Sequence, residues 1–190
     1  MPTKLVAIFI MGLMPVGFPA ISIGGNTAPP SPYYDWGACP FECCTYREWT
    51  ANALTEIHKD KQESSPVSFR VNRNEKVQGI TGVVVTTEPG RTKVLKPVIL
   101  NLDENKSVKL KSGDIFYNLH YLGEGNDLLW YGGKTFGSDQ FVFADTEPYN
   151  SIFQDLNEPT NDWWVKIRNS TGMEGWTNQT KHFDHMDACE

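Results

Sequence analysis

The sequence predicts an all-β protein made of two tandem small β-barrels, and three observations lead to this fold class. Short segments of alternating apolar and polar residues recur between turns that contain Gly and Pro, as in barrels and sandwiches. No segment has the 3.6-residue periodicity of a convincing amphipathic helix. Near the end of the chain, residues 162–177 combine an aromatic strand, a polar turn and a Gly-Trp strand, which predicts a twisted hairpin.

The first predicted module covers residues 45–100. Residues 67–71 alternate strictly, which predicts a strand with one apolar face. Residues 77–87 form a longer β-branched strand, and Gly79 and Gly82 mark positions where it bends or bulges. A turn with Pro and Gly then leads into the returning strand.

The second predicted module covers residues 101–190. Strands are predicted at residues 115–122 and 128–131, with tight Gly turns around them. Residues 147–161 contain two prolines and are predicted to form a long loop. The Trp-rich hairpin closes this module.

The first 25 residues predict a secretory signal peptide. Lys4 precedes an apolar run at residues 5–16, and small residues follow. The run is broken by proline and is short for a membrane span of roughly 20 residues. Residues 26–44 then form a Pro- and Cys-rich linker and strap. The mature chain is therefore expected to be exported, to the periplasm or outside the cell, with no membrane span.

The chain has four cysteines, and an even number in an exported protein predicts disulfide bonds. Three lie in the strap, at Cys39, Cys43 and Cys44, and the fourth is Cys189. A bond between adjacent cysteines is strained, so Cys39 is expected to pair with Cys44 or Cys43, and the remaining strap cysteine with Cys189. A zinc site on these cysteines and a histidine is the competing interpretation, and its ligand spacing is irregular.

The charge excludes one class of partner. The net charge of −6 becomes −7 when Lys4 leaves with the signal segment. Nucleic-acid binding needs a basic face that meets the phosphate backbone, so the acidic balance argues against nucleic acid as a partner. It also argues against binding to anionic membranes.

The strand Trp164-Val165-Lys166-Ile167 and the later Gly175-Trp176 resemble the end of a bacterial SH3-like domain of the SH3b type. The early part of that pattern is matched at Gly113-Asp114-Ile115, and more loosely at residues 74–77. The resemblance implies SH3-like barrels that bind peptides, often cell-wall peptides, in an aromatic groove. It also implies that Trp164 and Trp176 are groove residues.

Strand alternation gives a separate reason to consider this hairpin. Trp163 shares one face with the core residues of the strand, whereas Trp164, Lys166 and Arg168 share the other. A tryptophan beside two cations can stack on a ligand and hold a carboxylate. Packing of Trp164 and Trp176 within the protein is the alternative, because burial alone favours tryptophan.

A second aromatic surface is predicted from Tyr117, Tyr121 and Trp130. Tyr117 and Tyr121 alternate along one strand, and Trp130 lies in the next. This surface is either another binding site or the interface between the two modules.

No catalytic motif is found in the sequence, so no catalytic residue, cofactor or metal is predicted. The segment from His182 to Asp187, with His185 and Asp184, is the only cluster with metal-ligand character. A solvated polar tail is the plainer interpretation of it.

We therefore expect a non-catalytic binding module of the cell envelope that recognises cell-wall peptide or another short peptide. A structural or inhibitory protein that docks on a larger envelope protein is the alternative. A small metal-binding protein that uses the His/Asp tail is a third interpretation.

Overall fold

The computed structural model describes residues 27–103, 106–142 and 148–189, and within them every strand pairing is antiparallel. The all-β class is confirmed, and the sheets curl, one of them into a half-barrel. In chain order the strands are β1 Tyr33–Trp36, β2 Glu48–Ala51, β3 Thr55–His58, β4 Val67–Val71, β5 Lys76–Glu88, β6 Gly90–Val94, β7 Val98–Asp103, β8 Lys106–Leu110, β9 Ile115–Gly123, β10 Asn126–Tyr131, β11 Lys134–Gly137, β12 Phe141–Val142, β13 Phe153–Asn157, β14 Thr160–Arg168, β15 Glu174–Thr177 and β16 Phe183–Asp184. One helical turn, α1, covers Tyr149–Ile152, and short 3-10 turns cover Ser138–Gln140 and Thr180–His182. The predicted signal peptide lies outside the described residues.

The first sheet has eight strands and is organised around β5. Its order is β16-β2-β5-β14-β15-β3-β4. The strand β1 pairs with residues 83–86 of β5, and β2 pairs with residues 76–78 of β5. The β-branched run of β5 favours an extended backbone, and Val83 and Val84 are both buried although they point to opposite faces. One face of this sheet carries a core cluster, which contains Trp49, Ala51, Ile57, Phe69, Val71, Val77, Val165, Ile167 and Phe183.

The second sheet has the order β11-β10-β9-β6-β13, and a third small sheet has the order β12-β7-β8. Together they enclose a second core cluster, which contains Val94, Val98, Leu100, Leu110, Phe116, Leu129, Phe136, Ile152 and Phe153. Three phenylalanine rings meet there. The ring centroid of Phe153 lies 5.4 Å from that of Phe116 and 4.9 Å from that of Phe141.

Strand pairing crosses the module boundary predicted at residue 100. The Trp-rich hairpin, β14 and β15, pairs with β5 and β3 of the first sheet, and its Val165 and Ile167 complete the first core. The strands β6 to β13 build the second core between β5 and β14. Two cores are present, and their assignment to tandem SH3-like barrels stays a prediction.

Two local predictions have different outcomes. The long loop predicted at residues 147–161 is wrong for the part that the structure describes, because α1 and β13 lie there and β13 pairs with β6. The irregularity predicted near Gly79 is present: Lys166 pairs with Thr81 and Ile167 with Gly79, so one residue of β5 is unmatched and the strand has a bulge.

Buried polar contacts join the two sheets. Thr86 Oγ1 and Asn161 Nδ2 both donate to the carbonyl oxygen of Leu119, at 2.9 and 3.2 Å. His120 is 2% exposed, and its ring nitrogens lie 2.7 Å from the Tyr121 carbonyl oxygen and 2.9 Å from Asp35 Oδ2. Both ring nitrogens therefore face oxygen atoms that are hydrogen-bond acceptors.

The disulfides are Cys39–Cys44 and Cys43–Cys189, one of the arrangements that the sequence leaves open. The second bond closes nearly the whole described chain. Backbone hydrogen bonds from Thr45 to Met186 and from Ala188 to Cys43 hold the same segments together. Among the described residues, no helix is long and apolar enough to cross a membrane.

Candidate functional site

The strand alternation of the Trp-rich hairpin is as the sequence predicts, but Trp164 is not open to solvent. Val165 and Ile167 belong to the first core, and Trp163 packs against it. Trp164 and Lys166 point to the opposite face, yet Trp164 is only 5% exposed. Its role in ligand binding stays a prediction, and its ring offers a ligand almost no exposed surface.

Two tryptophans from the flanking strands share the sheet face of Trp164. Trp36 on β1 pairs with Val83, which pairs with Trp164, so all three side chains share one face. Trp176 on β15 pairs with Lys166, two residues further along β14 on that same face. The ring centroids of Trp36 and Trp176 are only 6.2 Å apart although β5 and β14 lie between their strands. The two rings must therefore lean toward each other across the middle strands, on the sheet face that also carries Trp164.

We call Tyr34, Trp36, Trp176 and Lys61 the aromatic face. Trp36 is 60% exposed and Tyr34 is 44% exposed, and their rings stack with centroids 6.1 Å apart. Lys61 Nζ lies 4.8 Å from the ring centroid of Trp36 and 5.2 Å from that of Trp176. A cation held over two indole rings fixes their relative position through cation–π attraction. The aromatic face is therefore exposed and held by contacts with its neighbours.

The two predicted cations beside Trp164 are already paired. Glu174 accepts from Lys166 Nζ and from Arg168 Nη2, both at 2.6 Å. These hydrogen bonds, Lys166 first and then Arg168, lower the pKa of Glu174. The trio carries a net charge of +1, so a ligand carboxylate there would share the cations with Glu174.

The strand that carries the exposed rings lies at an edge. Among the described residues, β1 pairs only with β5, so its other edge has no strand beside it. Unpaired backbone groups at such an edge can hydrogen-bond an added extended chain. Tyr34 and Trp36 project from this same strand.

The second predicted aromatic surface is divided in the structure. Trp130 pairs with Tyr117 across β9 and β10, and its ring makes an edge contact with Tyr33 of β1 at 6.0 Å between centroids. Trp130 Nε1 also donates to the carbonyl oxygen of Thr27. Tyr121 is 41% exposed and accepts a hydrogen bond from a nearby backbone amide. Trp130 therefore joins the second sheet to β1 of the first.

The structure does not assemble the metal-ligand sets considered from the sequence. Among the described residues, the only group of three potential ligand atoms within 4.8 Å of one another is Cys43, Asp187 and Cys189. Both of its sulfurs belong to one disulfide bond and cannot act as thiolates. His182 Nδ1 lies 3.1 Å from the Thr55 hydroxyl oxygen. Among the described residues, His182 and His185 belong to no group of three potential ligands.

Sequence reasoning missed the exposed half of the aromatic face. Tyr34 and Trp36 alternate along the four-residue strand β1, which lies within residues 26–44, the predicted linker and strap. Lys61 lies in a polar loop with no pattern that singles it out.

Comparison with known proteins identifies no relative of this chain. No protein-family model, no curated protein and no solved structure matches this chain.

Proposed function

We propose that this protein is a non-catalytic binding protein that captures a short, extended peptide at the aromatic face. One observation carries the proposal: Trp36 is 60% exposed, yet its ring is held between Tyr34 and Trp176 with Lys61 above it. Large exposed aromatic rings in a fixed arrangement are typical of binding hot spots, since they offer contact area with little loss of side-chain freedom.

The edge of β1 favours a peptide as the occupant. A peptide that adds as a strand gains main-chain hydrogen bonds, and alternate side chains then contact the pockets beside the edge. Tyr34 and Trp36 lie two residues apart on β1, so they would contact alternate peptide side chains on one face.

Charge near the aromatic face suits a peptide that carries a carboxylate. Lys166 and Arg168 outnumber the single carboxylate of Glu174, and both keep part of their side chains in solvent. Charge-assisted hydrogen bonds to carboxylates are roughly twice as strong as neutral ones. Cell-wall stem peptides have free carboxylates, and this is the peptide class that the sequence resemblance implies.

The cell envelope is the proposed location. The two disulfide bonds are compatible with an oxidising compartment outside the cytoplasm. The predicted signal peptide at residues 1–25 supports the same location.

The test is a titration of the mature protein with soluble stem peptides and muropeptides, followed by tryptophan fluorescence and by calorimetry. We expect saturable binding that Trp36→Ala weakens roughly tenfold or more, as for a hot-spot aromatic residue. Leu54→Ala is the matched control, because Leu54 is 59% exposed and lies outside the aromatic face. It should leave the affinity unchanged.

Two results would contradict the proposal. If wild-type protein shows no heat and no fluorescence change with any of these peptides, a cell-wall peptide is not the ligand. If peptides bind wild type and Trp36→Ala equally well, the ligand site lies elsewhere. Retention of an intact envelope protein under the first result would favour the docking alternative.

A further inference from the structure

The second sheet carries a cavity that includes no residue of the aromatic face. One face of the second sheet, formed by β10, β9, β6 and β13, opens into a cavity of about 480 Å³. This volume lies within the range of small-molecule sites. Phe116, Leu129 and Phe153, all buried members of the second core, form its apolar base.

The charged groups of this cavity all have one sign. Four carboxylates line it, from Asp127, Asp139, Asp155 and Glu158. Among the described residues that line it, none is Lys, Arg or His. An apolar base with a purely acidic rim is complementary to a positively charged molecule with an apolar body.

Two of the carboxylates are held in place by neighbours. Asp155 Oδ1 accepts hydrogen bonds from Thr92 Oγ1 at 2.6 Å and from Tyr149 Oη at 3.0 Å. Asp127 accepts a hydrogen bond from the Asn118 side chain. Burial is the main cause that raises the pKa of Asp127 above its ordinary value, and the negative charge of Glu158 adds to it. The hydrogen bond from Asn118 and the attraction of His120 oppose this shift of the Asp127 pKa but do not cancel it.

One buried polar atom in the lining also lacks a partner. Asn118 Oδ1 is buried and accepts no hydrogen bond in the described part of the chain. Buried acceptors without a donor are rare in folded proteins, because the loss of water is then uncompensated. A ligand N–H would supply this donor, and it would do so beside the Asp127 carboxylate.

We propose that this cavity binds an organic cation, an ammonium or guanidinium group on an apolar body. A bare metal ion fits less well, because these carboxylates do not place three ligand atoms within 4.8 Å of one another. The N–H groups of the cation hydrogen-bond to Asp127 and to Asn118 Oδ1. Its apolar part lies on the rings of Phe116 and Phe153.

Two sources could present this chemistry, a free small amine or the side chain of Lys or Arg in a peptide. Benzamidine, with benzamide as its neutral isostere, tests the free cation. Acetyl-arginine amide, with acetyl-citrulline amide as its neutral isostere, tests the side chain. Each pair differs in charge at nearly constant shape.

The experiment is NMR titration of the full mature protein with all four probes. We expect at least one cationic probe to shift resonances of the cavity residues saturably, and its neutral isostere not to do so. Asp127→Asn should weaken that binding roughly tenfold or more, as for loss of a charge-assisted hydrogen bond. Glu48→Gln is the control, since it removes one negative charge from the exposed surface of β2 on the first sheet. It should leave binding unchanged.

The proposal is overturned if neither cation binds, or if benzamide and acetyl-citrulline amide bind as tightly as their charged counterparts. It is also overturned if Asp127→Asn, shown by its NMR spectrum to be folded, binds as wild type does. Thr92→Val gives a second variant, because it removes a hydrogen bond to Asp155 without changing the charge. It should weaken binding less than Asp127→Asn does.

Discussion

Trp164 shows how the environment of a single residue decides between a binding role and a packing role. It lies on the same sheet face as Trp36 but is only 5% exposed, whereas Trp36 is 60% exposed. Trp164→Ala should therefore lower the free energy of unfolding by about 3–5 kcal/mol, because it leaves a cavity at a buried position. Trp36→Ala should lower it by about 1 kcal/mol or less, as expected for a mostly exposed position.

Urea denaturation of both variants, followed by far-UV circular dichroism, measures this difference. Equal losses would mean that Trp36 is as much a structural residue as Trp164, and that the aromatic face is part of the core.

Residue-scale prediction from the sequence succeeds where strand alternation alone decides the environment. Alternation assigned Val165 and Ile167 to the core, and both are completely buried. It also separated Trp164 from them correctly. It could not predict that Trp36 and Trp176 meet on the face of Trp164, because their strands are far apart in the sequence and meet only in the fold.

At the scale of one element, the bulge of β5 depends on a glycine. A Cβ atom at Gly79 would lie 2.7 Å from the indole ring of Trp49, which belongs to the first core and is fully buried. Gly79→Ala should therefore lower the free energy of unfolding by about 1–3 kcal/mol through overpacking. Gln78→Ala, on the exposed side of the same strand, should lower it by about 1 kcal/mol or less.

Thermal and urea denaturation of these two variants provide the comparison. An unchanged or increased stability of Gly79→Ala would show that Trp49 moves easily, and that the bulge does not require glycine.

Strand positions were predictable from sequence, but strand partners were not. The segments at residues 67–71, 77–87 and 115–122 are strands largely as predicted. The first alternates strictly, the second is rich in β-branched residues, and the third is bounded by Gly turns. The strand β13 is not predicted from the sequence, since Phe153-Gln154-Asp155-Leu156-Asn157 has weak alternation and lies between Pro148 and Pro159. Pairing with β6 imposes the extended backbone there.

Across the whole molecule, the order of the cores along the chain was not predictable. The chain leaves the first sheet after β5, builds the second core, and returns at β14 to complete the first. Local patterns predict where turns lie and which face of a strand is buried, but they do not specify which distant strands pair. The same limit applies to the cavity, because β6, β9, β10 and β13 contribute its walls.

The disulfides act at the scale of the whole molecule, and their loop lengths predict unequal contributions to stability. Cys43–Cys189 joins residues 146 positions apart, whereas Cys39–Cys44 joins residues only 5 apart. In the chain-entropy description, the long loop restricts the unfolded chain more. The double substitution Cys43→Ser with Cys189→Ser should then lower the free energy of unfolding by about 5 kcal/mol, against about 2 kcal/mol for Cys39→Ser with Cys44→Ser.

Hydrogen bonds near the Cys43–Cys189 disulfide are expected to keep the folded state intact when the bond is removed, so the effect of the bond on the unfolded chain can be measured. Ala188 donates a backbone hydrogen bond to Cys43, and Arg47 Nε donates to the His185 carbonyl oxygen, so the two ends stay joined in the folded state without the bond. The first variant should therefore keep a native near-UV circular dichroism spectrum while its urea midpoint falls further than that of the second. Equal midpoints would mean that native packing of the strap, and not loop closure, sets the contribution of each bond.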